Sequence, residues 1–177
     1  MKVVRLRLRL VEEILDDEEL NMKVVLLIRD PRGVMQSRLR EDLCKSFPDC
    51  WDPNMLCADM VSNYEAAVRI RQQYPDRLLV IRFEELALQT NKTSVEILKF
   101  LKVHKMPILD KFLQTHTSVD AGGPYDTTRV SHNVPFKWKT ELDFQYVSDL
   151  QMTCAEAMRL WGYKKAHNET HMKSKDF

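Results

Sequence analysis

Two short apolar runs, separated along the chain by helical patterns, constrain the fold more than any other feature. The runs are VVLLI at residues 24–28 and LLVIRF at residues 78–83, and both have the length and composition of a strand buried in a sheet. Between them, Asp30-Pro31 places a favoured N-cap residue before the residue favoured at the first helical position. Strands that alternate with helices predict an α/β fold with a mainly parallel sheet flanked by helices.

The other segments add helices, which are identified by their start signals and by apolar residues at helical spacing. Gly162 is well placed to end the last of them. The patterns predict a short acidic helix from Glu12 to Leu20, helices that begin at Asp30-Pro31, Asp52-Pro53, the capping box Thr93–Glu96 and Pro107, and a last helix from about Leu142 to Trp161. Residues 115–140, with Gly122-Gly123-Pro124 at their centre, are expected to be irregular.

The N-terminal segment adds a third candidate strand. Residues 3–10 alternate strictly between arginine and apolar residues, which predicts a half-buried strand. Its arginines, Arg5, Arg7 and Arg9, could face an acidic ligand, but a solvated strand face is the favoured interpretation. Three strands are few for a parallel sheet, so we expect this chain to be the later part of a larger domain, incomplete at its N-terminus.

Charge and composition restrict the classes of function. The chain has 177 residues with 27 Lys+Arg and 26 Asp+Glu, so no overall field recruits nucleic acid or a membrane, and any anion site must be local. The longest apolar runs fall well short of the roughly 18 residues needed to span a bilayer. With only four glycines, the chain has neither a Walker loop nor a GxGxxG turn, which disfavours a nucleotide kinase or GTPase.

The cysteines and two glycosylation sequons give information about the cellular compartment of the protein. The spacing of Cys44, Cys50, Cys57 and Cys154 fits no common metal motif, so we predict no metal site, and three full disulfide pairings remain open. Asn91-Lys92-Thr93 and Asn168-Glu169-Thr170 are glycosylation sequons. Together these features make a secretory compartment plausible.

Arg29 and Ser37 form a candidate phosphate clamp. Arg29 follows the first apolar run, and ligands of open parallel sheets bind at the carboxyl ends of the strands. Its planar guanidinium matches phosphate. Ser37 lies seven residues after Asp30, about two helical turns, and so faces the same side as the helix start. In the alternative that stays open, Arg29 pairs with a carboxylate and Ser37 is an ordinary surface residue.

Residues 29–38, RDPRGVMQSR, closely resemble the 3′-phosphate-binding motif of the sulfotransferases. The resemblance extends to NMKVVLLIRDPRGVMQSRLRE, to RFEEL at residues 82–86, and to VPFKWKTEL followed by CAEAMRLWGY near the C-terminus. From about Lys2 to Tyr163, the chain is similar to the Golgi carbohydrate 6-O-sulfotransferases, which act on galactose, N-acetylgalactosamine and N-acetylglucosamine.

The resemblance implies a P-loop-kinase-like fold and a partial sulfotransferase domain at residues 1–163, followed by a polar, loose tail at residues 164–177. It implies transfer of a sulfuryl group from 3′-phosphoadenosine 5′-phosphosulfate, without a metal, to a sugar hydroxyl of a glycan or proteoglycan. Arg29 and Ser37 would hold the 3′-phosphate of that co-substrate, and Arg32 of the same motif joins them as a candidate cofactor-binding residue.

Two further family features have no match in this sequence. The family's Ser/Gly-rich loop for the 5′-phosphosulfate and its membrane anchor are both missing, so we expect a fragment or a truncated product. The full-length parent would be anchored in the Golgi membrane with this domain in the lumen.

The general base is not assigned. Candidates are Glu84, Glu85, His116 and His132, although a structural role is favoured for the glutamates and an ordinary loop position for the histidines. Arg129, Lys137 and Lys139, near Trp138, could close over the donor or an acidic glycan, or could belong to a solvated loop that Trp138 anchors. A non-catalytic module that binds nucleotide or glycan is the alternative function.

Overall fold

The sheet in the described part of the protein is a pair of parallel strands, and α-helices pack against it. The computed structural model describes residues 1–4, 6–119 and 128–174. Strand β1, Val24–Ile28, pairs in parallel with β2, Leu78–Arg82, so that Val24 lies opposite Leu78 and Ile28 opposite Arg82. Both strands and their parallel pairing were predicted from the apolar runs. The α/β class is therefore confirmed, although helices predominate in the described residues.

The helices in chain order are α1 Glu12–Leu15, α2 Pro31–Arg38, α3 Pro48–Trp51, α4 Pro53–Gln73, α5 Phe83–Leu88, α6 Thr90–Leu101, α7 Pro107–Thr117, α8 Trp138–Glu141, α9 Phe144–Thr153, α10 Ala155–Trp161 and α11 Glu169–Lys173. Short 3-10 turns at Leu8–Val11, Glu18–Leu20, Asp42–Ser46 and Ser131–Asn133 accompany them. None of these helices combines the length and the apolar sequence needed to cross a membrane.

One face of the sheet is covered by α4. Val24 and Leu78 pack with Ala66, Ala67 and Ile70 in a hydrophobic cluster. On the other face of β1, Val25 is 36% exposed and Leu27 is 50% exposed. The prediction that β1 is buried on both faces is therefore wrong, because the described helices cover only one side of it.

The N-terminal segment does not form the strand that its alternation predicted. Leu8–Val11 is a 3-10 turn that leads directly into α1. Leu8, Val11 and Leu15 are buried at the helical spacing of three and four residues, in the same cluster as α4. Arg7 pairs with Asp59 at 2.7 Å and Arg9 is exposed, while Arg5 lies outside the described residues. Packing against α4 therefore overrides the local alternation.

The second large cluster joins α2, α4, α9 and α10 around a disulfide. Cys57 of α4 is bonded to Cys154, and both residues are buried. Met35 and Met158 pack in the same cluster. The long last helix predicted from Leu142 to Trp161 is divided at Cys154 into α9 and α10. As predicted, Gly162 ends α10, in the left-handed conformation at φ +72°.

Two other helix predictions differ from the structure. The acidic helix predicted from Glu12 to Leu20 is interrupted after Leu15. The capping box at Thr93–Glu96 is wrong, because α6 begins at Thr90 and the Thr93 hydroxyl donates to the carbonyl of Glu85 instead. The predicted irregular centre, Gly122-Gly123-Pro124, lies outside the described residues.

The C-terminal segment packs onto the domain as far as Ser174, in contrast to the loose tail expected. Ala166 and Met172 are buried in a third cluster with Trp138 and Val147. Lys139 Nζ donates to the carbonyl oxygen of Ser174 at 3.0 Å. An apolar side chain on α11 thus anchors a segment whose overall composition is polar.

The two disulfides should differ in their contributions to stability. Cys44–Cys50 spans six residues and Cys57–Cys154 spans 97, so the longer loop restricts the unfolded chain more. We expect Cys57→Ala/Cys154→Ala to lower the free energy of unfolding by about 4–5 kcal/mol, and Cys44→Ala/Cys50→Ala by about 2–3 kcal/mol. Urea unfolding of both double variants measures this difference, and equal losses would contradict it.

Candidate functional site

The connection between β1 and α2 is held by the Asp30 carboxylate. Asp30 is the N-cap of α2, and its Oδ1 accepts the backbone N–H of Arg32 at 2.9 Å, as predicted for the Asp-Pro start. The same carboxylate accepts Arg32 Nε at 2.9 Å and Nη2 at 2.6 Å. Because Asp30 already satisfies this first-turn N–H, an anion at this corner would depend mainly on side-chain donors.

Arg32 is directed into the protein. Its side chain is 2% exposed, its guanidinium lies 4.2 Å from the Trp138 ring centroid, and Nη1 donates to Gln151 Oε1 at 2.8 Å. Gln151 in turn bonds both the N–H and the C=O of Ala166. Arg32 therefore connects α2 to α8, α9 and the C-terminal segment. These contacts fix the positions of the elements that surround it. Its predicted role in binding the cofactor remains a prediction.

Arg29 has a different environment. It follows β1 directly, and its guanidinium lies 4.4 Å from the ring centroid of Phe83, which follows β2. The Nε atom is buried and has no hydrogen-bond partner among the described residues. Burial lowers the pKa of Arg29, while the nearby Glu84 and Asp30 carboxylates act in the opposite direction. A bound anion would strongly stabilise such a cation, which has lost much of its contact with water and has a hydrogen-bond donor without a partner.

Gly33 lets this guanidinium approach α2 closely. A Cβ atom at Gly33 would lie 3.2 Å from Arg29 Nε and 3.4 Å from Trp138 Cδ1. Gly33 was not singled out from the sequence. The signal that the sequence offers is an isolated glycine in the first turn of a predicted helix, where glycine costs about 1 kcal/mol relative to alanine.

Ser37 continues the same helix face. It lies four residues after Gly33, so it is the next neighbour on that face, about 6 Å further along the axis. Ser37 is exposed, and its hydroxyl makes no hydrogen bond within the described part of the chain. Arg29 and Ser37 thus present donors along one face of α2.

Glu84 has a structural role, as favoured from the sequence. It is 8% exposed; Oε1 accepts the N–H of Asp30 at 2.9 Å, and Oε2 accepts the hydroxyl of Tyr163 at 3.1 Å. The carboxylate therefore links the start of α2, the start of α5 and Tyr163, two residues past the end of α10. Tyr163 is a second residue that the sequence analysis did not assign to the site.

The other candidates for a general base have no distinguishing geometry. Glu85 and His132 are exposed. His116 stacks on Phe112, with its Nδ1 atom 3.0 Å from the carbonyl oxygen of that residue. The catalytic base therefore stays unassigned.

The predicted basic loop, which carries Arg129, Lys137 and Lys139, is only partly exposed to solvent. Lys139 is 9% exposed, and burial together with nearby Arg32 lowers its pKa. Trp138 is 1% exposed, consistent with the anchor interpretation. The Arg129 guanidinium donates to the carbonyl of its neighbour Thr128. No cluster of three or more metal-ligating side chains occurs among the described residues.

Comparison with known proteins identifies the family. A family model for the sulfotransferase domain matches residues 10–162. The chain is 27% identical to carbohydrate sulfotransferase 3 of Tetronarce californica, over 93% of this chain and 41% of that protein. It is 26% identical to carbohydrate sulfotransferase 3 of Homo sapiens, over 95% and 39% of the two chains, and 26% identical to carbohydrate sulfotransferase 1 of Mus musculus, over 91% and 43%.

The chain belongs to the sulfotransferase family, as residues 29–38 indicated. Its relatives are carbohydrate sulfotransferases, which confirms the branch predicted from the sequence. The chain spans about two fifths of the length of these relatives. No solved structure gives a significant match.

The Tyr163 hydroxyl should make stability depend on alkaline pH. Burial, with Glu84 nearby, raises the pKa of Tyr163 above its ordinary value. The folded state therefore favours the neutral hydroxyl, and its contribution is complete below the unfolded pKa of about 10 and is lost as pH rises above it. We expect Tyr163→Phe to cost about 1–3 kcal/mol at pH 7, and to lose less stability than the wild type on going to about pH 10.5.

Urea unfolding at the two pH values measures both effects. Tyr64→Phe is the matched control, since the Tyr64 ring packs edge-on against Trp161 and its hydroxyl has no hydrogen-bond partner among the described residues. A parallel loss of stability in the wild type and Tyr163→Phe would exclude Tyr163 as the cause.

Proposed function

We propose that this chain contains the donor-binding part of a carbohydrate sulfotransferase, with Arg29 and Ser37 as ligands for the 3′-phosphate of 3′-phosphoadenosine 5′-phosphosulfate. The observation that carries the proposal is the buried Arg29 Nε, which has no hydrogen-bond partner among the described residues and lies against Gly33, one turn before the exposed Ser37. Family membership supports the choice of this nucleotide, because sulfotransferases in general take the sulfuryl group from it.

The chemistry of the site agrees with a phosphate dianion. A guanidinium can donate two parallel N–H hydrogen bonds to two oxygens of one phosphate group. A serine hydroxyl adds one donor from a second direction. The carboxylates of Asp30 and Glu84 are occupied by protein donors, so they do not need to be displaced when an anion binds. Phe83 and Gly33 both lie close to this guanidinium, so its position is set by contacts with the residue after β2 and with α2.

The reaction proposed is transfer of the sulfuryl group to a sugar hydroxyl of a glycan or proteoglycan. The bond from sulfur to the 5′-phosphate oxygen breaks, and a bond from sulfur to the sugar oxygen forms. The hydroxyl proton passes to a base, and 3′-phosphoadenosine 5′-phosphate leaves. By analogy with phosphoryl transfer, positioning and charge stabilisation supply most of the catalysis. Arg29 fixes the nucleotide, while Arg32 and Glu84 fix the corner that carries Arg29.

We place the protein in the Golgi lumen, where carbohydrate sulfotransferases generally act. The disulfides support an oxidising compartment, since Cys44–Cys50 and Cys57–Cys154 use all four cysteines of the chain. Membrane attachment would come from a part of the full-length protein outside this sequence.

The decisive test of the donor site is Arg29→Ala. We expect this change to weaken binding of 3′-phosphoadenosine 5′-phosphate by about 1.5–3 kcal/mol, the scale of hydrogen bonds to a charged group. Binding of 5′-adenosine monophosphate, which lacks the 3′-phosphate, should change little. Isothermal titration calorimetry measures both affinities, with Arg71→Ala as a control that removes the same charge from an exposed position near the end of α4.

Two companion variants separate the clamp from general electrostatics. Ser37→Ala should reduce the preference for the 3′-phosphate without changing net charge. Gly33→Ala improves helix propensity but pushes the Arg29 side chain out of place, and should cost about 0.5–1.5 kcal/mol of nucleotide affinity without lowering stability. Unchanged affinity in Arg29→Ala and Ser37→Ala would refute the site. Nucleotide binding without sulfuryl transfer to any glycan of a panel would favour the non-catalytic module.

The proposed compartment predicts a glycan at Asn168. Asn168 is exposed and caps α11 through its Oδ1, which accepts the His171 N–H at 2.8 Å, so a sugar on Nδ2 leaves the cap intact. We expect the chain, secreted from eukaryotic cells behind a signal peptide, to lose mass on treatment with peptide N-glycosidase. Asn168→Asp, which keeps an oxygen cap, should abolish this loss.

Asn91 provides the control for this prediction. It lies in α6, and its sequon threonine, Thr93, is 5% exposed with its hydroxyl bonded to the carbonyl of Glu85. Asn91→Asp should therefore leave the mass loss unchanged. Secreted chain without a glycan on Asn168 would contradict the prediction.

A further inference from the structure

A cavity lies next to the Arg29 site, at the carboxyl end of β2. Its volume is about 260 Å³, and its lining includes Arg82, Lys139 and Lys164 together with the aromatic residues Phe136, Trp138 and Tyr163. Asp30 and Glu84, which also neighbour Arg29, form another part of its wall. The cavity therefore adjoins the proposed donor site while presenting a different set of cations.

The acidic groups of this cavity are already occupied. The Asp30 carboxylate accepts three hydrogen bonds from Arg32. The Glu84 carboxylate accepts the N–H of Asp30 on one oxygen and the hydroxyl of Tyr163 on the other. Both carboxylates therefore accept hydrogen bonds from the protein, while Glu84 also forms a long ion pair with Arg82, with Oε2 3.9 Å from Nε.

Arg82 has donors to offer. Its guanidinium carbon lies 4.3 Å from the Tyr163 ring centroid, which fixes the plane of the group. Its Nε is 3.9 Å from Glu84 Oε2, too far for a hydrogen bond, and the side chain is 34% exposed. Gly162 leaves room beside it, since a Cβ there would lie 4.0 Å from Arg82 Nη1. Within the described residues, Arg82 donates no hydrogen bond.

Lys164 adds a second available cation. It is exposed, lines the cavity, and makes neither a hydrogen bond nor an ion pair within the described ranges. Phe136, 37% exposed, contributes an aromatic surface to the same cavity. Cations beside an exposed aromatic ring suit a sugar ring that carries an acidic group, since the ring packs on the aromatic face and the acid meets the cations.

We propose that this cavity binds the carboxylate or sulfate ester of an acidic sugar residue in the acceptor glycan, through Arg82 and Lys164. The proposal rests on the proposed sulfotransferase function and specifies its acceptor as a negatively charged glycan. The volume lies just below the roughly 300–1,000 Å³ of pockets for whole drug-sized ligands, and so suits one charged sugar better than a longer segment. The cavity would set which residue of the glycan lies beside the donor.

The test compares two sugars and two neighbouring lysines. The probes are a glucuronate-containing hexasaccharide and the same hexasaccharide with its carboxyl groups reduced to hydroxyls. By calorimetry, the wild-type chain should bind the acidic probe at least about tenfold more tightly, the lower end for a hydrogen bond to a charged group. Lys164→Glu should abolish this preference. Lys165→Glu makes the same charge change at the adjacent exposed residue, which is absent from the cavity lining, and should retain it.

Arg82→Met is the second variant, because it keeps an aliphatic side chain over Tyr163 while removing the donors. It should lose the preference for the acidic probe and keep affinity for the reduced one. Equal binding of the two probes by the wild type would overturn the proposal, as would equal losses in Lys164→Glu and Lys165→Glu, which would show unspecific attraction.

The same variants distinguish this proposal from the donor site. Affinity for 3′-phosphoadenosine 5′-phosphate should be unchanged in Lys164→Glu; a loss there would assign the cavity to the donor and overturn the acceptor proposal. If the wild type fails to bind this nucleotide but prefers the acidic probe, the proposed donor site fails while the acidic-sugar site stands.

Discussion

The arrangement of the site depends on one buried carboxylate. Glu84 accepts the N–H of Asp30 and the hydroxyl of Tyr163, and so joins the end of β1, the start of α5 and the end of α10 at a single point. Buried carboxylates are costly unless their oxygens are hydrogen-bonded, and these two bonds meet that requirement. Arg29 and the cavity lined by Arg82 both adjoin this carboxylate, so their relative placement follows from it.

Arg29 and Arg32, the two arginines of the RDPR sequence, have the same side chain but different surroundings. Arg32 is surrounded by Asp30, Gln151 and Trp138, and its charge is used inside the protein. Arg29 lies 4.4 Å from the Phe83 ring centroid and close to the backbone of Gly33. The Arg32 guanidinium therefore links helices, while the buried Nε of Arg29 has no hydrogen-bond partner among the described residues.

Much of the fold could be predicted from the sequence, because the local signals for strands and helix starts agree with the tertiary packing in those segments. The apolar runs gave β1 and β2, and Asp-Pro gave the starts of α2 and α4. Prediction failed where distant contacts decide. Leu8, Val11 and Leu15 follow a helical spacing only because α4 provides a surface for them, and the last helix is divided at Cys154. For the site, the residue pattern and the resemblance both indicated Arg29 and Ser37, whose role stays a prediction, but no pattern in the sequence separated Arg32 from Arg29 or revealed the space that Gly33 leaves.

The bond between Cys57 and Cys154 also constrains how the protein is made. A ribosome adds about 5–20 residues per second, so the 97 residues that separate these cysteines take on the order of 5–20 s to synthesise. In the proposed oxidising lumen, Cys57 would lack its partner during that interval and would lie close in sequence to Cys50, which belongs to the earlier bridge with Cys44. Correct pairing there would depend on rapid closure of the small loop, or on an isomerase that undoes a premature link between Cys50 and Cys57.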